Sequence, residues 1–125
     1  MSNYCFQQVT VLGDKEEVEK FIAFVNGDRV FDVKALAQKL GVEAPSSLWA
    51  IEVVSDIEPG RVVYEFETEW EEDQELIPAL AKRFPTLKML HEYAEPNMGF
   101  GGFTEFINGS PWVTEFLQFW FTEGE

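Results

Sequence analysis

The clearest pattern in the chain is an alternation of apolar and polar residues, which is typical of β-strands that bury one face. It appears first in residues 4–12, where Cys5, Val9 and Val11 share one face of an extended segment. It returns in "VVYEFETEW", whose apolar face consists of Val62, Tyr64, Phe66, Thr68 and Trp70. The residues between them are Glu65, Glu67 and Glu69. Both segments are therefore predicted to be strands, and the second is predicted to expose a row of carboxylates.

Helical spacing of apolar residues separates the predicted strands. A first helix is predicted after Asp14, a residue type that is favoured at helix N-caps. A short second helix is predicted over residues 32–40, closed by a glycine, and is interpreted as an insertion. A third helix is predicted within "EEDQELIPALAKRF", with Asp73 as its cap. Pro78 must lie in the first turns of that helix, because proline lacks the backbone N–H that the interior needs.

Turn residues predict how the remaining strands are connected. "IEPGR" places Pro-Gly between "LWAIEVVSD" and "VVYEFETEW", which predicts a hairpin. "TLKMLHEYAE" is predicted to be a strand, and "PNMGFGG" a tight turn that requires positive φ. Asn108-Gly109 predicts a closing hairpin between "FTEFI" and "PWVTEFLQFWF". The alternative for the last segment is a helix with one aromatic stripe, formed by Trp112, Phe116, Phe119 and Trp120.

The predicted order of elements is βα, a second helix, ββαβ and a C-terminal β-hairpin. The six core elements match the ferredoxin-like plan, an α+β fold in which helices cover one face of an antiparallel sheet. The closing hairpin is expected either to extend this sheet or to cross its open face. The chain has 125 residues, so we expect a single ferredoxin-like domain over residues 1–125.

The charge balance restricts the partners that the chain is expected to bind. The formal net charge is −14, with an isoelectric point near 4.3, so nucleic acid and anionic membranes are repelled and basic proteins are attracted. The single cysteine excludes an internal disulfide and fits a reducing cytoplasm. "MSNYCF" does not resemble a signal peptide, and no apolar stretch approaches the about 20 residues of a membrane span.

Several segments resemble one family when taken in order: "NYCFQQVTVLG", "YEFETEW" and "RFPTLKMLHEYAEPNMGFGG". They resemble the opening strand, the Phe-x-Thr-x-Trp strand and the Gly-rich turn of the YubB ferredoxin-like proteins, which plasmids and phages carry. The family's Asn-Trp-Gly-Thr-Lys-Trp segment is replaced here by "SSLWAIEVVSD", and the proline after its Trp strand is replaced by "EED". The resemblance implies the fold and an origin on a mobile element. It implies no chemistry.

No constellation of residues predicts catalysis, a metal site or a cofactor. Cys5 and His91 are on adjacent predicted strands, but a buried cysteine and a surface histidine on opposite faces are the simpler interpretation. One Cys and one His cannot form a zinc cluster, and no calcium-binding loop is present. Tyr4 and Phe6 on an open face are similar to RNA-binding sheets, yet the basic residues that accompany such aromatics are missing.

The strongest remaining signal is the placement of acidic residues. Residues 51–75 contain ten acids and one basic residue. The predicted partner-binding residues are Glu65, Glu67, Glu69, Glu71, Glu72 and Asp73. They form either a merely solvated strand face or an anionic surface that binds a basic partner. In the second case the expected partner is a nucleic-acid-binding host defence protein, which the chain would inhibit by imitating DNA. A structural or assembly module and an unrecognised carboxylate-based enzyme remain the alternatives.

Overall fold

The structure, a computed structural model, describes residues 4–26, 33–43, 54–69, 75–96 and 99–118. In chain order its elements are β1 (Tyr4–Leu12), α1 (Lys15–Val25), α2 (Val33–Leu40), β2 (Val54–Glu58), β3 (Arg61–Glu69), α3 (Leu76–Arg83), β4 (Lys88–Glu95), β5 (Phe100–Ile107) and β6 (Ser110–Gln118).

The strands form one sheet in the order β2-β3-β1-β4-β5-β6, and all neighbouring strands are antiparallel. The first four strands of this order have the ferredoxin-like arrangement, with β1 in the centre beside β3 and β4. The β5–β6 hairpin continues the sheet beyond β4 rather than crossing its open face. The predicted α+β ferredoxin-like fold is therefore confirmed.

The core lies between the sheet and the helices. Val9 and Val11 on β1 are opposite Tyr64 and Val62 on β3, and all four side chains are fully buried. Phe21 of α1 packs against Tyr64, with ring centroids 6.4 Å apart. Alternation along the strands thus places the apolar residues under the helices and leaves every second residue on the other face.

The helices begin close to their predicted positions. Asp14 is the N-cap of α1, although its side chain makes no capping hydrogen bond. Glu75 is the N-cap of α3, and Pro78 is the third helical residue, where no intrahelical N–H is needed. The prediction that Asp73 caps this helix is wrong, because its N-cap is Glu75. The predicted start of α2 at Asp32 lies outside the described residues.

The closing hairpin is confirmed, and the helical alternative is wrong for the described part of that segment. Asn108 and Gly109 have φ values of 56° and 79°, so both central residues of the turn are left-handed, as in a type I′ turn. The turn rests on α3, because a Cβ added to Gly109 would lie 3.3 Å from the carbonyl oxygen of Ala81.

The glycines at the start of β5 permit a tight turn and a close contact between strands. Gly99 has a φ of +74°, which confirms the predicted turn with positive φ. Gly102 lies within β5, opposite Tyr93 on β4. A Cβ at position 102 would lie 2.7 Å from the Tyr93 hydroxyl and would also meet the carbonyl of Glu115. The missing side chain therefore lets the Tyr93 ring lie across the neighbouring strand.

Candidate protein-binding face of the sheet

Strand register brings acidic residues from separate strands together on the face of the sheet that points away from the buried core, called the open face here. Residues directly opposite each other in antiparallel strands point to the same face. Phe6 on β1 is opposite Glu67 on β3 and Ala94 on β4. The next residue on this face of β1, Gln8, is opposite Glu65 and Glu92. The acidic end is defined as Phe6, Gln8, Glu65, Glu67 and Glu92.

The other end of β1 carries the opposite charge. Leu12, also on the open face, lies between Arg61 on β3 and Lys88 on β4. These are the only basic residues in the described strands. Arg61 Nη1 is 2.9 Å from Glu58 Oε2, so it forms an ion pair with the neighbouring strand. On β1, β3 and β4 the open face therefore carries acids beside the start of β1 and bases beside its end, while Glu58 on β2 lies opposite Arg61.

The carboxylates of the acidic end remain accessible. Glu65 is exposed, and Glu67 and Glu92 are half-buried. Gln8 Nε2 donates a hydrogen bond of 3.2 Å to Glu92 Oε1, which orients that carboxylate without neutralising it. Phe6 is 49% exposed and lies between the acids, so its ring adds apolar area to the acidic end.

The acidic character continues across the sheet toward β6. Glu92 is opposite Phe103 on β5, and Phe103 is opposite Glu115 on β6. The row that crosses the sheet therefore reads Glu65, Gln8, Glu92, Phe103 and Glu115. Glutamates alternate in this row with an amide and an aromatic ring, so the open face offers both charge and apolar area.

The structure brings together some of the residues predicted from the acidic row. Glu65 and Glu67 face away from the core, as alternation predicts. Glu69 ends β3 opposite Tyr4, and its side chain lies outside the described residues, as do Glu71, Glu72 and Asp73. The predictions that Thr68 and Trp70 face the core also concern side chains that the structure does not describe.

Sequence reasoning missed the contributions of Phe6, Glu92 and Glu115 to this surface. Each lies on a different strand, so no spacing along the chain connects them. The only available signal was local alternation, which placed Phe6 on the open face. Assignment of the other two to the same surface requires the register of the sheet.

The prediction that His91 is a surface residue, on the face opposite to Cys5, is wrong. Both side chains are buried on the helix-covered face, with 4% and 0% of their area exposed. The reason is that His91 alternates in phase with the buried Met89. His91 is nevertheless opposite Val9, four residues along β1 from Cys5. This separation is about 14 Å at ~3.4 Å per residue, too far for a Cys–His pair.

His91 has a structural partner on β1. Its Nε2 lies 2.7 Å from Oε1 of the buried Gln7. The amide oxygen can only accept, so Nε2 carries a proton and donates it to Gln7. Burial lowers the pKa of His91 to about 4, because the charged ring would lose its hydration. His91 is therefore neutral at physiological pH.

Charge is also divided between the two layers of the molecule. The described helices contain six basic and three acidic residues, whereas the described strands contain two basic and nine acidic ones. Among the described residues, no helix is long and apolar enough to cross a membrane. Nor do those residues include a group of three or more His, Cys, Asp or Glu arranged to hold a metal ion.

Comparison with known proteins supports the fold assignment. The family model described as "Ferredoxin-like domain in Api92-like protein" matches residues 49–121, more than half of the chain, and includes β2 to β6. The central strand β1 precedes the matched segment. The chain has no significant match among curated proteins or among solved structures. It belongs to the family of ferredoxin-like domains in Api92-like proteins.

Proposed function

We propose that this chain is a non-enzymatic binding protein whose acidic end receives a basic protein. The observation that carries the proposal is the convergence of Glu65, Glu67 and Glu92 on one end of the open face. The basic residues of the strands, Arg61 and Lys88, lie at the other end.

The geometry gives the acidic end a strong local field. Neighbouring strands are about 4.8 Å apart, so Glu65 and Glu92, which flank β1, start roughly 10 Å from each other. Successive glutamates on β3 are about 7 Å apart, within one Debye length at physiological salt. Their potentials therefore add, which attracts a basic protein and accelerates its association.

The finer form of the proposal is that the partner is a nucleic-acid-binding host protein and that the chain imitates DNA. The resemblance to the YubB ferredoxin-like proteins supports an origin on a plasmid or phage, where an inhibitor of a host defence protein is advantageous. The single cysteine supports a cytoplasmic location. The regular spacing of the β3 glutamates supports mimicry of a phosphate backbone, in which charges also repeat at a fixed interval.

The test is capture of the partner from a bacterial lysate, followed by binding kinetics with the purified partner. The variant Glu65→Gln/Glu67→Gln/Glu69→Gln removes charge from β3. Its matched control is Glu16→Gln/Glu19→Gln/Glu43→Gln, which removes the same charge from exposed residues outside the sheet. We expect the association rate to fall about tenfold or more in the first variant and much less in the control.

Three results would contradict the proposal or its finer form. Equal rates for the two triple variants would show that only net charge matters. A complex insensitive to salt would exclude electrostatic recognition. A partner that binds the chain and duplex DNA simultaneously would exclude DNA mimicry, because a mimic must compete for the same surface.

A further inference from the structure

The acidic end contains one feature that charge alone does not explain, the exposed ring of Phe6. With 49% of its area accessible, Phe6 lies directly opposite Glu67. Glu65 and Glu92 occupy diagonal positions on the two flanking strands. Direct and diagonal cross-strand neighbours are about 5 and 7–8 Å apart at their backbones, within reach of long side chains. A group placed over the Phe6 ring would therefore be within reach of several carboxylates.

We propose that Phe6 and the surrounding glutamates receive an arginine side chain of the basic partner. This inference rests on the proposed function and specifies its chemistry. Guanidinium is planar, stacks on aromatic faces and donates paired hydrogen bonds to a carboxylate. Lysine offers only a compact, strongly hydrated point charge. An aromatic ring bordered by carboxylates matches the first group better than the second.

Other occupants fit this surface less well. A nucleobase could stack on Phe6, but its phosphates would then approach Glu65, Glu67 and Glu92. An apolar partner surface would cover the ring while burying carboxylates without counterions, which is costly. A cation with a flat face satisfies both the ring and the charges.

The chain itself shows this type of contact on its helix layer. The Arg83 guanidinium carbon lies 5.2 Å from the centroid of the Phe24 ring and 5.5 Å from that of Phe84. Lys39 Nζ lies 5.0 Å from the Phe24 centroid. The basic residues of the described strands, by contrast, lie at the far end of the open face from Phe6. Because the described strands place no basic residue beside Phe6, the cation proposed for its ring is one that a partner supplies.

The experiment compares an arginine homopeptide and a lysine homopeptide of equal length, labelled and titrated with the protein at low salt. Phe6→Leu retains apolar area but removes the ring. Leu12→Ala is the control, since Leu12 lies on the same strand and face but between basic residues. We expect wild type to prefer the arginine peptide, and Phe6→Leu to lose roughly two- to fivefold of this preference. Leu12→Ala should keep it.

The outcomes separate this inference from the proposed function. Equal affinity of wild type for both peptides, or an arginine preference unchanged in Phe6→Leu, would overturn the inference while leaving electrostatic binding intact. Failure of both peptides to bind wild type at low salt would overturn the proposed function as well. Circular dichroism of each variant ensures that the comparison is made on folded protein.

Discussion

The hydrogen bond between His91 and Gln7 places a titratable group inside the helix-covered face of the sheet. The histidine is buried and its pKa is lowered to about 4, whereas an unfolded histidine titrates near 6.5. Protonation in the folded state would put an uncompensated charge in the core. The pair is therefore a pH-sensitive element of stability rather than of catalysis.

We predict that acid destabilises the protein through His91. The folded state binds the proton less tightly than the unfolded state, so this contribution is fully present above pH 6.5 and is lost as the pH falls toward 4. The free energy of unfolding of the wild type should fall by about 3 kcal/mol more than that of His91→Gln, which cannot titrate, between pH 7 and pH 4. Denaturant unfolding of both proteins from pH 7 to pH 4 measures it. Parallel pH profiles would show that His91 is not neutral and buried as described.

For single residues, the sequence predicts the burial of apolar side chains better than that of polar ones. Alternation correctly places Val9, Val11 and Phe66 in the core, because their burial needs no partner. The same alternation in β4 would have placed His91 beside Met89, yet a histidine is expected at the surface unless a partner is known. Gln7, its partner, is 84 positions away in sequence. Only the register of β1 with β4 connects them.

The turn of the β5–β6 hairpin depends on the identity of its two central residues. Its turn combines two left-handed residues with contact against the last part of α3. A glycine at position 109 is needed for both reasons, since a side chain would be strained by the positive φ and would press on the Ala81 carbonyl. The turn therefore fixes the register of the strand pair that extends the ferredoxin-like sheet.

We predict that Gly109→Ala lowers the free energy of unfolding by about 1–2 kcal/mol, because alanine disfavours the left-handed region. The matched change Asn108→Gly retains a residue that accepts positive φ and should alter stability by less than about 0.5 kcal/mol. Urea unfolding of the two variants beside wild type measures both effects. A Gly109→Ala variant as stable as wild type would contradict the turn geometry.

The sequence predicts the order of the strands and helices, but it predicts only part of the candidate site. Turn signals such as Pro59-Gly60 and Asn108-Gly109 identify the hairpins directly. They do not say which strands lie on either side of β1. The acidic end arises from that pairing, since Glu65 and Glu92 belong to strands separated by α3 and meet only across Gln8.

For the whole molecule, repulsion among the acids opposes compaction. The net charge is −14, and the described strands contribute nine acids against two bases. Such repulsion is long-ranged at low ionic strength and is screened as salt is added. The open face therefore retains its carboxylates at a cost in stability.

We predict that added potassium chloride stabilises the protein, because the Debye length falls from about 30 Å at 0.01 M to about 8 Å at 0.15 M. The variant Glu65→Gln/Glu67→Gln/Glu69→Gln should be as stable as wild type or more stable at low salt, by on the order of 0.5 kcal/mol. It should also gain less from the added salt. Thermal unfolding at the two concentrations tests this, and a less stable variant would show that these carboxylates make stabilising contacts.

The unequal charge of the described helices and strands contributes a dipole component roughly perpendicular to the sheet. In the field of a cationic surface this dipole exerts a torque that turns the open face forward while the proteins are still separated. Collisions then occur more often with Phe6 and its glutamates leading, so fewer encounters are lost to wrong orientation. Near an anionic surface the same torque would turn the helices forward instead.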